Sequence, residues 1–181
     1  MNVFQIPIIL RPEQRHSVQA SFKGETCIIM LPVHVLGRKQ TIRLIDLAYW
    51  QLIGKTQTPA LLLKTVELNR RHFGFPYQHV RYHRQFRRWG SCSALKNINL
   101  SHRLIGAPQQ IVDYVIIHEL AHLKQLNHSK EFWCLVKSAN QDPRQARQEI
   151  MAYGQHWFKH YQQWYFNLSK SFEKSLRPLP F

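Results

Sequence analysis

The chain has 181 residues, 44% of them hydrophobic, with 25 Lys and Arg against 10 Asp and Glu, a net charge of +15. That length and apolar content suit one core, and so one soluble domain over 1–181. No apolar run is long enough to span a membrane, and the opening MNVFQIPIILRPEQ lacks a basic start and breaks its apolar stretch at Pro7, which argues against a secretion signal. The three cysteines, Cys27, Cys92 and Cys134, have no framework spacing, so a reducing, cytoplasmic setting is expected.

In chain order the pattern is α+β. Val18, Ala20 and Phe22 alternate with polar residues, Lys23-Gly24 turns the chain and 26–31 returns, which predicts an opening β-hairpin. Apolar residues over 42–53 predict a helix that stops at Gly54. Thr58-Pro59 reads as the start of a second helix, ending about His72 before Gly74. Val80 to Phe86 alternates as a strand, and Asn97 to Leu100 reads as another. Between them, Gly90 reads as a backbone device that permits a sharp turn or a close approach, and Cys92 as a buried or half-buried thiol. Pro108, followed by Ile111, Val112, Val115 and Ile116 at helical spacing, predicts a helix to about Leu126, with Asn127 as a left-handed terminator. Asp142-Pro143 reads as a cap. Beyond it Ala146, Ile150, Tyr153, Trp157, Tyr161, Trp164 and Leu168 mark one face of a long helix, read as core packing, and 171–181 as a loose arm. The single domain thus divides into a hairpin and helices (1–79), a central core (80–139) and a C-terminal helix and tail (140–181).

The central core carries the chemistry. Residues 118–128 read HELAHLKQLNH. Four residues apart on a helix, His118 and His122 lie about 6 Å apart along the axis and about 40° apart around it, so both imidazoles reach one metal ion. Glu119 follows the first histidine, where its carboxylate reaches a water on that ion, and His128 comes after the helix as a possible third ligand. Glu131 and Glu149 compete for the third position. Glu131 falls near the start of the next helix and Glu149 far along another, which favours His128. This is the layout of a zinc-dependent hydrolase. Three protein ligands leave zinc an open position for a water, whose pKa falls to about 7 on binding. Tyr153, Arg147 and His102 are candidates for stabilising the oxyanion.

The stretch RRWGSCSALKNINLSHRLIGAPQQIVDYVIIHELAHLKQLNHSKEFW resembles the core of the YgjP-like metallopeptidase domain, a relative of the SprT-like and WLM zinc proteases. Three linked pieces carry the resemblance: Arg88-Trp89-Gly90-Ser91-Cys92, the Asn99-Leu100 strand, and Tyr114-Val115 leading into HELAHL and then Asn127-His128-Ser129 with Phe132-Trp133. It implies a zincin-like α+β fold with a small, mostly antiparallel sheet, a Zn2+ ion on His118, His122 and His128, and Glu119 as general base. The six-residue step from His122 to His128 also equals that of the metzincins, but Gln125 stands where their motif has glycine. In zinc proteases of this general shape a sheet edge commonly holds the peptide, which by analogy nominates the strands at 80–86 and 97–100.

Charge is clustered as well. Between Leu68 and Val112 no acidic residue occurs, whereas Arg70, Arg71, Arg81, Arg84, Arg87, Arg88, Lys96 and Arg103 are all basic. A polyanion such as nucleic acid is the simplest partner for that segment, with Arg84, Arg87 and Arg88 as candidate contacts. The expected activity is zinc-dependent hydrolysis of a peptide bond in a protein or peptide substrate. Two alternatives are a metal-dependent nucleotide pyrophosphatase, which the absence of a Gly-rich phosphate loop disfavours, and a non-catalytic zinc-containing nucleic-acid-binding module, which has no need of Glu119.

Overall fold

The structure, a computed structural model, describes residues 2–37, 40–139 and 142–175. The chain resolves into two compact units, one of Met1–Ile53 with His156–Phe181 and one of Gly54–Gln155.

In the first unit, strands β1 (Ile8–Glu13), β2 (Gln19–Lys23) and β3 (Thr26–Pro32) form a sheet in the order β1-β3-β2. The expected hairpin is β2-β3. Its tight turn uses Gly24 at φ +60°, a backbone that favours glycine. Strand β1 was not expected. It contains Pro12, which removes a ladder donor and is tolerated because β1 lies at the sheet edge, parallel to β3. The core of this unit is aromatic. Tyr49, Trp50, Trp157 and Trp164 are buried, and Trp164 lies 4.9 Å from Tyr49 and 5.9 Å from Trp50 between ring centroids. The aromatic face of the last helix is therefore core packing.

Two helices contribute to both units. Helix α1 runs unbroken from Thr41 to His72, where two helices are expected from the sequence. Gly54 does not stop it. A Cβ at Gly54 would lie 3.4 Å from the Tyr82 side chain, an ordinary van der Waals contact, so packing there does not demand glycine. Pro59 sits inside the helix, and the backbone bond it deletes is tolerated alongside a Thr58 hydroxyl that donates to the Gly54 carbonyl at 2.8 Å.

The second unit holds β4 (His79–His83), β5 (Gly90–Cys92) and β6 (Asn97–Ser101), in the order β4-β6-β5. Helices α2 (Gln109–Ala121) and α3 (Lys130–Ala139) follow, and α4 begins at Pro143 and runs to Ser175. Asp142 caps α4, its carboxylate accepting from the N–H groups of Arg144 and Gln145 at 2.9 and 3.1 Å. Of the expected loose arm, 171–175 continue α4, and 176–181 lie outside the described residues.

Each sheet is mixed rather than mostly antiparallel. In both, the first strand runs parallel to the third while the second pairs antiparallel with it. Because β6 is central, its edges are both occupied, so it offers nothing to an extended peptide. The free edges are β4 and β5. No described helix is long and apolar enough to cross a membrane.

Candidate metal centre

Helix α2 is apolar on almost every side because it is enclosed: Ile111, Val112, Tyr114, Val115, Ile116, Ile117 and Leu120 are all buried. It ends earlier than its pattern predicts. After Ala121 the N–H groups of Leu123 and Lys124 bond three residues back, to Leu120 and Ala121, which tightens and closes the helix. Among the described non-glycine residues only Lys96 has positive φ, so Asn127 is not a left-handed terminator. The turn is closed instead by His122, whose Nδ1 meets the Gln125 carbonyl at 2.9 Å.

That turn brings His128 back over the helix. Its Nε2 lies 3.1 Å from His118 Nε2, and one ligand atom from each of His118, His122 and His128 lies within 4.8 Å of the others. Phe132 on α3, fully buried, supports all three, with its ring centroid 4.9, 4.5 and 4.7 Å from His118, His122 and His128. The sequence reading gave Phe132 no such role. The competing acids stand elsewhere. Glu149 accepts from Gln145 at 2.9 Å, the Glu131 carboxyl is lowered by a Ser129 hydrogen bond, and neither belongs to the three-residue cluster.

The donor set suits a cation. Burial holds the His118 pKa down at about 3, reinforced by His122 and His128, and His122 is lowered by burial too. Both rings are thus neutral at ordinary pH and keep a nitrogen lone pair. With Nδ1–H of His122 donating to the Gln125 carbonyl, its Nε2 is the free lone pair. Two buried polar atoms nearby, His118 Nδ1 and Glu119 Oε2, have no hydrogen-bond partner. Unsatisfied atoms of this kind in a native interior point to a bound ion or water. All-nitrogen ligation of this sort matches zinc and neighbouring transition ions, and it is foreign to calcium or magnesium.

Glu119 is 4% exposed, and burial pushes its pKa up to about 8 against the opposing charge of Arg88. Its place is set by Gly90. A Cβ there would fall 2.4 Å from Oε1 and 2.7 Å from Cδ and Cγ of Glu119. Close approach, one of the two uses expected of Gly90, is therefore the one observed, and the chain at Gly90–Cys92 is a strand, not a sharp turn. The neighbouring Trp89 is placed by a second glycine. A Cβ at Gly154 would lie 2.7 Å from the Trp89 ring, whose face also carries the Arg103 guanidinium at 3.7 Å.

These groups line a cavity of about 520 Å³, walled by β5, Arg88, Trp89, Tyr114, the three histidines, Glu119 and α4 residues including Arg147. Of the three oxyanion candidates, only Arg147 is there. The Tyr153 hydroxyl donates to the Arg103 carbonyl at 2.8 Å, and His102 is buried with Nδ1 accepting the Gln85 N–H at 3.2 Å. Cys92 lines the wall as a half-buried thiol, pushed up to about 11 by burial and so held in its protonated form.

The basic segment is partly consumed internally. Arg71 pairs with Glu67 at 2.8 Å, Arg81 donates to Asn99, Arg103 lies on Trp89, and Arg84 lies over the Phe86 ring at 4.8 Å. Arg87 and Arg88 are exposed, and of the three candidate polyanion contacts only Arg88 also lines the cavity.

Against curated proteins the chain finds no match. A solved structure, the metallopeptidase zymogen abylysin of Pyrococcus abyssi, is 24% identical over 49% of this chain and 87% of its own, with a TM-score of 0.43. Residues 12–153 match the family described as YgjP-like, metallopeptidase domain, which takes in both the Gly90 strand and all three histidines. With most of its length inside that match, the chain belongs to the YgjP-like metallopeptidase domain family.

Proposed function

We propose that the chain is a zincin-class peptidase in which His118, His122 and His128 hold Zn2+ and Glu119 is the general base. The observation that supports this best is the convergence of three imidazole nitrogens within 4.8 Å, beside a buried carboxylate in an open cavity. When bound by these three histidines, zinc would supply Lewis acidity toward the scissile carbonyl and toward a water. Glu119 takes the proton from the attacking water and delivers it to the leaving amine. Its unpartnered Oε2 is the atom available for that exchange, and the Gly90 backbone keeps the carboxylate from retreating. Strand β5 is an outer strand and its three residues line the same cavity, so the substrate backbone adds to the sheet there.

The proposal extends to a polyanion contact through the exposed cations of the basic segment, Arg87 and Arg88 foremost, which would bring a nucleic-acid-bound protein to the cavity. The deciding experiment for the chemistry is Glu119→Gln. The near-isosteric variant should keep one zinc per chain by elemental analysis and lose about 10² to 10⁴ in turnover of a protein or peptide substrate. Unchanged turnover with full zinc would remove Glu119 from the mechanism. Nucleotide hydrolysis lost in the variant, with all peptides left intact by the parent, would replace peptidase by phosphohydrolase.

A further inference from the structure

The cavity is cationic before any metal enters it. Among the described residues Glu119 is the only acidic side chain in its wall, whereas two guanidiniums line it, Arg88 from the segment before β5 and Arg147 from α4. Other arginines of the unit have partners, as Arg71 has in Glu67, Arg81 in Asn99 and Arg103 in Trp89. Neither Arg88 nor Arg147 has an ion pair or a side-chain hydrogen bond among the described residues. Both share that wall with Tyr114, His118 and Glu119.

Two unpaired guanidiniums inside a concave wall focus a positive field on whatever fills the space. A neutral peptide makes no use of that field and would leave both forks facing water. A carboxylate matches the planar guanidinium in two parallel hydrogen bonds, a geometry that lysine does not offer. Resting on the peptidase reading above, we infer that Arg147, with Arg88, is a specificity determinant that recognises a carboxylate of the substrate beside the scissile bond. The carboxylate belongs either to an Asp or Glu side chain or to the free C-terminus of a peptide.

The test pairs binding with cleavage. Labelled peptides are made in matched sets: an internal Glu or Gln near the centre, and a free or amidated C-terminus. Affinities are measured by fluorescence anisotropy on zinc-loaded Glu119→Gln protein, alone and combined with Arg147→Gln or Arg88→Gln. One charged set should bind about tenfold tighter than its neutral partner, the size of one charge-assisted hydrogen bond. The advantage should shrink as salt rises, since both guanidiniums are exposed, and fall to about twofold or less with Arg147→Gln. Which set shows the advantage identifies the source of the carboxylate. Equal affinity for charged and neutral peptides, or an advantage that survives both arginine substitutions, would overturn the inference. Cleavage by the native protein separates the two layers. Charge-blind cleavage leaves a peptidase without this specificity, and charge-selective binding with no cleavage of any peptide leaves the carboxylate site while removing the peptidase.

Discussion

Adding a single methyl group at Gly90 tests whether the strand beside the metal centre holds the base in place. Gly90 lies in an extended strand without positive φ, so alanine is compatible with its backbone and in open space would stabilise it by about 0.4–1 kcal/mol through the unfolded chain. Space is what it lacks. The new Cβ would stand 2.4 Å from Glu119 Oε1 and 2.7 Å from Cγ and Cδ, where ordinary carbon contacts fall near 3.5 Å or beyond. The strand does not yield easily, because Gly90 is in register with Leu100 on the central strand. Nor does Glu119 simply swing aside, because the clash includes its Cγ and the side chain is 4% exposed. Relief therefore takes a displacement of the carboxylate by about 1 Å, and misplacement on that scale costs about 10² in rate. Overpacking should cost about 1–3 kcal/mol in stability. The assay is kcat/KM on a fluorogenic protein or peptide substrate, with zinc content and thermal melting in parallel. Gly90→Ala should keep its zinc, melt lower and lose about 10² in kcat/KM, and the double variant with Glu119→Gln should be little worse than Glu119→Gln alone, since both act through one carboxylate. Full activity at full zinc, or two losses that multiply, would refute the coupling of Gly90 to Glu119.

His128→Ala should lower zinc affinity strongly, while Glu131→Ala and Glu149→Ala should leave zinc content unchanged by elemental analysis. The reverse pattern would transfer the third ligand to an acid. For pH, burial and then the Arg84 charge depress the His102 pKa to about 3, against about 6.5 in an unfolded chain. The unfolded state binds the extra proton between those values, so this contribution is fully present above about pH 6.5 and is lost as pH falls, at up to about 1.4 kcal/mol per pH unit. Denaturant unfolding of His102→Asn should show a pH slope shallower than wild type by about one proton over that window, and parallel slopes would refute it. Nucleic-acid binding should weaken with a log-log salt slope of about −0.7 to −0.9 per neutralised phosphate, and charge reversal at Arg84, Arg87 and Arg88 should flatten the slope with zinc intact. An unaltered slope would remove those residues from the contact.

The elements most legible in the sequence are those whose side chains repeat with one period. Strands β4 and β6 and helices α2 and α4 are recovered, as is the β2-β3 hairpin. The misses have a common physical origin in glycine and proline, whose local meaning is overruled by packing. Gly54 and Pro59 read as a boundary, yet α1 passes through both, because the helix buries Ile53, Leu61, Thr65 and Leu68 around them. Strand β1, which has no counterpart in the sequence reading, carries Pro12, whose missing donor matters little on a sheet edge. Strand order was not readable at all. Alternation places residues on faces of a sheet, but which strand lies between the other two is decided by long-range contacts, and it is this that leaves β4 of the two nominated strands at an edge and encloses β6.

The centre shows how far local spacing carries. His118, Glu119 and His122 belong to one helix, so their mutual geometry follows from 3.6 residues per turn alone. His128 required a turn, and the geometry came from the His122–Gln125 contact and unwinding at Ala121, not from a left-handed Asn127. Gly154 left no local signal, while Phe132 entered only through the family resemblance and Arg147 only as one oxyanion candidate of three. Each is an ordinary residue of a helix, and its relation to the site exists only once distant segments meet. Gly90 lies between these cases. A lone glycine announces that a side chain is forbidden, and only the fold says by whom. Here the excluded volume belongs to Glu119, which ties the Trp-Gly-Ser-Cys segment to the His-Glu helix by steric necessity. The carboxylate that Gly90 accommodates reaches further along the same strand: burial and then Glu119 push the Cys92 thiol up to about 11, so one close approach shapes both the position of Glu119 and the character of the wall beside it.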